Sequence, residues 1–389
     1  MKDKPDSAYP AKLILGLQYF LYFGVLGIYL PYFNLYCFHL DFSGFQIGAM
    51  SAVRTVSTVL FPLFWGAVAD RFQIRKPIYI FCNFISCFIW AAFLFTIDFG
   101  IMLGISIFYG IFYAPVISFL EAFTMDALGK KKNQYGRIRV WGSINFIVFV
   151  VLIGRLIDLQ SVNIIIPYIF AGSLLQALFS LKIPGKEIVK KGSFGPGARV
   201  LLEPRLIIFL AAAFLMLLSH GTYYGFFSIH LEKLGYGKTF IGITWALASV
   251  AEILVMINSD RIFKKISIKT VLIISFFIAA ARWLILSFTS SAAIILLSQV
   301  MHAGTYATFH IASILYIDNL IPSEAKTFGQ AVNNAVTYGL GMTAGFILNG
   351  LFFDQMDSSL LFAGSAVIAI AGGILMSIRI KPAKEVRYL

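Results

Sequence analysis

Gly66-Ala67-Val68-Ala69-Asp70-Arg71-Phe72-Gln73-Ile74-Arg75-Lys76 closes one long apolar segment and opens the next. From Asp70 to Asp260, 190 positions later, Ser259-Asp260-Arg261-Ile262-Phe263-Lys264-Lys265 closes another segment in the same way. A second correspondence runs beside the first. Met125-Asp126-Ala127-Leu128 leads to Tyr135-Gly136-Arg137, and Ile317-Asp318-Asn319-Leu320 leads to Phe328-Gly329-Gln330, at offsets of 192 and 193. Those offsets are half of the 389-residue chain, so the sequence reads as two copies of one unit.

The segments between these marks are membrane spans. Hydrophobic residues make up 59% of the chain and charged ones 13%, against about 25% charged in soluble domains. A span needs about 20 apolar residues, and twelve segments qualify: 11–37, 44–69, 77–97, 100–128, 137–158 and 162–182, then 205–231, 239–259, 268–288, 292–318, 327–351 and 359–380. The first is too long for a signal-peptide core and lacks a cleavage site, so it reads as a retained span. The fold class expected is an all-α membrane protein of twelve transmembrane helices in two six-helix bundles. The bundles are 1–182 and 205–389, related by an axis along the membrane normal. A Gly-, Pro- and Lys-rich cytoplasmic linker, 183–204, leaves them free to rock.

The net charge of +13 does not point to nucleic acid, because its Lys and Arg residues cluster in short loops between spans. With both termini in the cytoplasm, basic residues gather on the inner side, and only Arg155, Lys233 and Lys238 fall outside. Cys37, Cys82 and Cys87 lack metal-ligand spacing and read as core. No Gly-x-Ser-x-Gly, His-Glu-x-x-His or Walker sequence is present, so no enzyme is expected. Nor is a metal or cofactor.

Charges inside the spans carry the functional reading. A charge in hydrocarbon costs roughly 2.5–3.5 kcal/mol on insertion scales and persists where it faces a wet cavity or a partner. Arg54, Glu121, Arg139, Glu252, Arg282 and His302 all interrupt apolar runs. Counted from the inner face at about 1.5 Å per residue, Glu121 and Arg139 lie at similar depth, and a pair between them follows. Arg54, Arg282, His302 and Glu252 fall near or just inside the midplane, where carriers of this architecture place their sites. Arg54 has no acidic neighbour on its own span, so its fork is available to a carboxylate. Three arginines against two glutamates favour an anionic solute. Burial raises a carboxyl pKa and histidine titrates near neutrality, so Glu121, Glu252 and His302 are the proton candidates. His310, eight residues beyond His302, is a relay. Span-one aromatics, Tyr19, Tyr22, Phe23, Tyr29, Tyr32, Phe33 and Tyr36, read mostly as lipid-facing or packing surface. Tyr22, Tyr29, Trp141, Tyr224 and Trp245 also suit the walls of a site for a ring-shaped solute. Gly24 and Gly27 allow close helix contact.

Gly-x-x-x-Asp-Arg-x-x-x-Arg-Lys between spans two and three resembles the signature loop of the major facilitator superfamily, complete in the first half and degenerate in the second. Its charges can act as an inner latch: Asp70, Arg71, Arg75 and Asp126 in the first half, Asp260 and Arg261 in the second. Glu121-Ala122-Phe123, Tyr135 to Ser143 and His302 to His310 resemble the lactose permease branch, and more closely the 3-phenylpropionate permease family. The resemblance implies that Glu121 and Arg139 bind substrate together, and that Glu252, Arg282 and His302 belong to a sugar and proton network. The sequence departs from the sugar permease at Gln299, where that family has a lysine, and at Thr305, where it has the proton-carrying glutamate. It departs again at Tyr224 and Phe227 in place of aspartates and at Asn333 and Asn334 near a lysine.

The function expected is secondary active transport by alternating access: a symport permease coupled to protons, importing an aromatic or other monocarboxylate across the inner membrane. Arg54, Glu121, Arg139, Arg282, Tyr29, Trp141 and Asn334 would bind the solute. Glu121, Glu252, His302 and His310 would handle the proton. The lipid bilayer and the small solute are the partners, and the carrier would work as a monomer. Alternatives are a proton-coupled sugar or nucleoside symporter, with Glu121, Arg139, Gln299, Asn333 and Asn334 on hydroxyls, or a drug exporter.

Overall fold

The computed structural model describes residues 8–184, 203–322 and 325–378. Twelve helices in it are long and apolar enough to cross a membrane: α1 (Ala11–His39), α2 (Gly44–Phe72), α3 (Arg75–Leu94), α4 (Phe99–Leu128), α5 (Tyr135–Leu159), α6 (Val162–Ser180), α7 (Pro204–Lys233), α8 (Lys238–Lys265), α9 (Ile268–Phe288), α10 (Ala292–Leu320), α11 (Phe328–Phe353) and α12 (Ser358–Ser377). They are the twelve expected segments, with ends displaced by a few residues. Of the linker expected at 183–204, residues 185–202 lie outside the described residues.

The helices start where local chemistry tells them to. Ser43 caps α2, and Gln46 returns the hydrogen bond to the Ser43 amide, closing a capping box. Asp98, Ser267 and Asp357 accept backbone N–H bonds at the starts of α4, α9 and α12. At the other end of α2, Gln73 adopts φ 56°, a left-handed stop inside the signature loop. Two helices are interrupted by wider turns, π-helical at Ala303–Ala307 in α10 and at Asn334–Gly341 in α11.

Contacts divide the chain into two compact units, Met1–Lys191 with Phe226–Ala246, and Gly192–Gly225 with Leu247–Leu389. The bundle boundary expected from the sequence differs from this in one segment, the outer ends of α7 and α8, which join the first unit. Tyr32 of α1 donates to the carbonyls of Val150 at 2.6 Å and Lys238 at 3.2 Å. The Asp158 carboxylate accepts from the amides of Lys238 and Thr239 at 2.7 and 2.8 Å. Glu232 meets His39 at 2.9 Å and Lys238 at 2.6 Å. Polar ties of this kind are unreadable in a hydropathy profile.

Each unit uses glycine to bring helix backbones together. A Cβ on Gly27 would stand 3.0 Å from the Phe146 carbonyl, and one on Gly142 would stand 3.1 Å from the Tyr19 carbonyl, so α1 and α5 touch closely. In the second unit, Gly221 of α7 and Gly345 of α11 face each other in the same way. The two copies thus share a packing device as well as loop motifs. A Gly142→Leu variant is expected to force α1 and α5 apart, since its first side-chain atom already meets Phe23 at 2.6 Å. Overpacking of that sort costs about 1–3 kcal/mol, and a lower monodisperse yield on size exclusion would register it.

Candidate functional site

In the second unit the charges expected near mid-span form one chain. Arg282 is wholly buried. Its Nε donates to the Ser298 carbonyl at 2.9 Å, Nη1 to His302 Nδ1 at 2.7 Å and Nη2 to Gln299 Oε1 at 2.9 Å. Its guanidinium lies 4.2 Å from the Tyr223 ring centroid and 4.8 Å from that of Trp283. His302 then passes the chain on: Nε2 stands 2.8 Å from Glu252 Oε1 and 3.3 Å from Tyr224 Oη. Glu252 is about a quarter exposed, whereas Arg282 and His302 are buried.

The π-helical turns set this arrangement. A π turn holds an extra residue and swings the side chains beyond it around the axis. After His302 the turn lets Tyr306 stack on the imidazole at 5.4 Å with a 17° tilt, while Thr308 Oγ1 donates to the carbonyl of Ala303, five residues back. The second turn carries Tyr338, whose hydroxyl meets His310 Nδ1 at 2.6 Å. His310 is therefore placed on Tyr338 rather than on His302, and it reaches Glu252 only through its electrostatic field. Tyr306, Tyr338, and Tyr223 and Ser298 beside Arg282 carry no signal in the sequence, where they look like ordinary core residues.

Arg282, expected to grip a solute, has no exposed surface here and a partner on each nitrogen, His302 among them. Removing it would leave Gln299 and His302 short of a donor. Breaking a buried charged network by truncating one member costs about 3 kcal/mol or more. An Arg282→Leu variant is expected to lose several degrees of melting temperature in detergent, with Arg282→Lys recovering part of the loss.

The first unit gathers its charges differently. Tyr22 of α1 is within electrostatic reach of Arg54, Arg139 and Glu121 together. Arg54 lies over the Tyr29 ring at 5.5 Å, and Arg139 over Phe23 at 3.8 Å and Tyr19 at 5.5 Å. The Glu121–Arg139 ion pair expected from their equal depth is absent among the described residues. Arg139 stacks on Phe23 instead, and Glu121 accepts from Tyr135 at 3.4 Å while feeling the arginine's field. Both arginines are half-buried and neither has a carboxylate within ion-pair distance among the described residues. Between them runs a ladder of rings, Tyr22 on Tyr113 at 5.3 Å and Tyr113 on Tyr109 at 4.7 Å, both stacked. It continues to Trp90, which meets Tyr29 at 5.6 Å. The span-one aromatics are thus largely interior, with Tyr19, Tyr22, Tyr32, Phe33 and Tyr36 buried, where lipid-facing surface was also expected. Trp141 is half exposed, against Gly16, and Asn334 is exposed.

The inner loops distinguish the complete signature from the degenerate one. Arg75 bridges Asp126 at 2.9 Å and Asp70 at 3.4 Å, joining the start of α3 to the ends of α4 and α2, while Arg71 stays exposed beside Phe72. Asp260 has no ion pair among the described residues, and Arg261 donates to Asn258 of its own helix at 3.3 Å. Asp318, the counterpart of Asp126, is taken by Lys326 at 2.8 Å. One half-chain keeps the bridge and the other has replaced it.

The family model described as the MFS_1 like family matches residues 13–363. Among curated proteins, the "Probable 3-phenylpropionic acid transporter" of Escherichia coli (strain K12) is 26% identical over 361 residues, covering 91% of this chain and 94% of that one. The "Maltose permease" of Geobacillus stearothermophilus is 23% identical over 382 residues, covering 94% and 93%. Among solved structures, the nucleoside transporter NupG in a mutant form superposes with a TM-score of 0.87 at 18% identity, covering 94% of this chain and 98% of that one. At such identity the last likeness establishes the fold alone. Twelve apolar helices, a repeated half-chain and the family match agree: this multi-pass membrane protein belongs to the MFS_1 like family of major facilitator secondary transporters.

Proposed function

We propose that this transporter is a proton-coupled symporter of a small organic anion, an aromatic or other monocarboxylate, working as a monomer in the inner membrane with both termini cytoplasmic. The observation that carries the reading is the first unit's pair of half-buried arginines, Arg54 and Arg139, resting on aromatic rings with no ion-pair partner among the described residues. An arginine fork binds a carboxylate through two parallel hydrogen bonds. The Tyr22, Tyr113 and Tyr109 ladder offers stacking to a ring. Glu121, exposed within α4, tempers the charge of Arg139 and leaves Arg54 as the stronger anchor. Coupling is assigned to Glu252, the partly exposed end of a buried chain from Arg282 through His302. The likeness to a relative named for 3-phenylpropionic acid supports this solute class.

Proteoliposomes under an imposed pH gradient test the proposal. Labelled 3-phenylpropionate is expected to accumulate beyond its passive level in protein-free liposomes, and lactose and uridine are not. Accumulation of lactose or uridine in preference to the carboxylate would overturn the anion reading in favour of a sugar or nucleoside symporter.

A further inference from the structure

The structure assigns a role to Gln299 that its sequence neighbourhood does not suggest. We propose that Gln299 is a positioning residue: by holding the Arg282 guanidinium it keeps His302 neutral, with its one ring proton on Nε2, and so makes Glu252 the group of this cluster that takes up and releases the proton. The second half of this inference rests on proton coupling as proposed above. The first half stands without it.

The argument begins with donors and acceptors. Arginine has N–H donors and no acceptor. Arg282 Nη1 lies 2.7 Å from His302 Nδ1, so that nitrogen accepts with its lone pair. A neutral imidazole carries one N–H, which then sits on Nε2 and points at Glu252 Oε1 at 2.8 Å. Adding a proton to Nδ1 would press N–H against N–H. His302 can become an imidazolium only if Arg282 turns away.

Gln299 prevents that turn. Its Oε1 accepts from Arg282 Nη2 at 2.9 Å and from Tyr223 Oη at 3.1 Å, while Nε2 donates to the Ile295 carbonyl at 3.2 Å and to Ser298 Oγ at 2.9 Å. The amide can sit only this way round, because the flipped form would aim its NH2 at the guanidinium and lose the Ile295 carbonyl. Gln299 is itself wholly buried, one helical turn before His302. The other titratable groups facing His302 leave Nδ1 alone. Tyr224 Oη approaches Nε2, Tyr306 stacks on the ring face, and the Tyr223 ring lies 5.1 Å from it. His220 of α7, 6.2 Å away, is engaged through its Nδ1 with the Met216 carbonyl at 2.8 Å. A neutral amide serves here where a lysine could not, since an ammonium would repel the guanidinium it must hold.

The test reads the ring directly. Full-length protein with 15N-labelled histidine, in nanodiscs, is examined by magic-angle-spinning NMR, with the His302 signals identified by their loss in His302→Asn. In the wild type, Nδ1 is expected to be unprotonated and Nε2 protonated, unchanged from mildly alkaline to mildly acidic pH. In Gln299→Leu the ring should titrate to the imidazolium over that range, and the pH profile of solute uptake should gain a second ionisation. Gln299→Glu, which keeps an acceptor for Arg282, should retain the wild-type ring spectrum. An Nδ1–H tautomer or an imidazolium in the wild type overturns the proposal, as does a Gln299→Leu ring that behaves like the wild type. Should the leucine variant fail to fold, Gln299→Ala, which also removes the acceptor, carries the same comparison. Uptake insensitive to pH, with the ring locked as expected, would sink proton coupling through Glu252 and leave the positioning role standing.

Discussion

If the proposed anion site is right, uptake of a monocarboxylate is expected to fall by roughly two orders of magnitude when Arg54 is replaced by alanine, because the variant loses about 3 kcal/mol of charge-assisted hydrogen bonding. Arg54 of α2 is half-buried and leans on the Tyr29 ring at 5.5 Å, a contact that orients the guanidinium without consuming its N–H donors. Alanine removes the fork and leaves the ring. The loss belongs to binding, so it should appear as a raised half-saturation concentration with the protein still folded, checked by size exclusion and thermal unfolding. Lysine at the same position should restore part of the affinity, since it returns the charge but not the fork. Arg139→Ala should do less, because Glu121 already tempers that charge. Unaltered carboxylate uptake by Arg54→Ala would remove the anion site from the first unit.

Much of the architecture was legible because the bilayer imposes it. Each span must satisfy its own backbone, so hydropathy over about 20 residues finds the helices whatever their packing. Asp70 and Asp260 gave the repeat because loop charge is fixed by topology rather than by tertiary contacts. Gly24 and Gly27 announced a close helix contact because only a missing Cβ permits one. The site was legible as a set of charges and opaque as a set of bonds. Arg282 and Arg54 look alike in sequence, both being arginines in apolar runs, yet one is sealed by Ser298, Gln299 and His302 and the other is open. What separates them is neutral: a glutamine, a backbone carbonyl and the Tyr223 ring, none of which stands out by charge or periodicity. Depth counting put Glu121 and Arg139 level with each other, and nothing in it could tell that Phe23 would take the guanidinium. The π turns at Ala303–Ala307 and Asn334–Gly341 are invisible to a pattern that assumes 3.6 residues per turn, and they decide where His302, Tyr306 and Tyr338 point.

Replacing Glu252 by glutamine should abolish accumulation against a gradient while leaving solute exchange within a few-fold of the wild type. Glutamine keeps an oxygen to accept from His302 Nε2, now at 2.8 Å from the carboxylate, so the chain back to Arg282 survives. What disappears is the proton that, on the proposed coupling, enters and leaves at this position in each cycle. A symporter moving one proton per solute can concentrate its solute about tenfold per unit of pH difference, since one unit is worth about 1.4 kcal/mol. With the ionisable group gone, the carrier should add no accumulation beyond that of protein-free liposomes under the same gradient. Counterflow of labelled against unlabelled solute needs no net proton movement, so it reports whether the binding site and the conformational change are intact. Loss of both activities would mean Glu252 is structural. Retention of both would move the coupling proton to Glu121, whose own glutamine variant then becomes the deciding comparison.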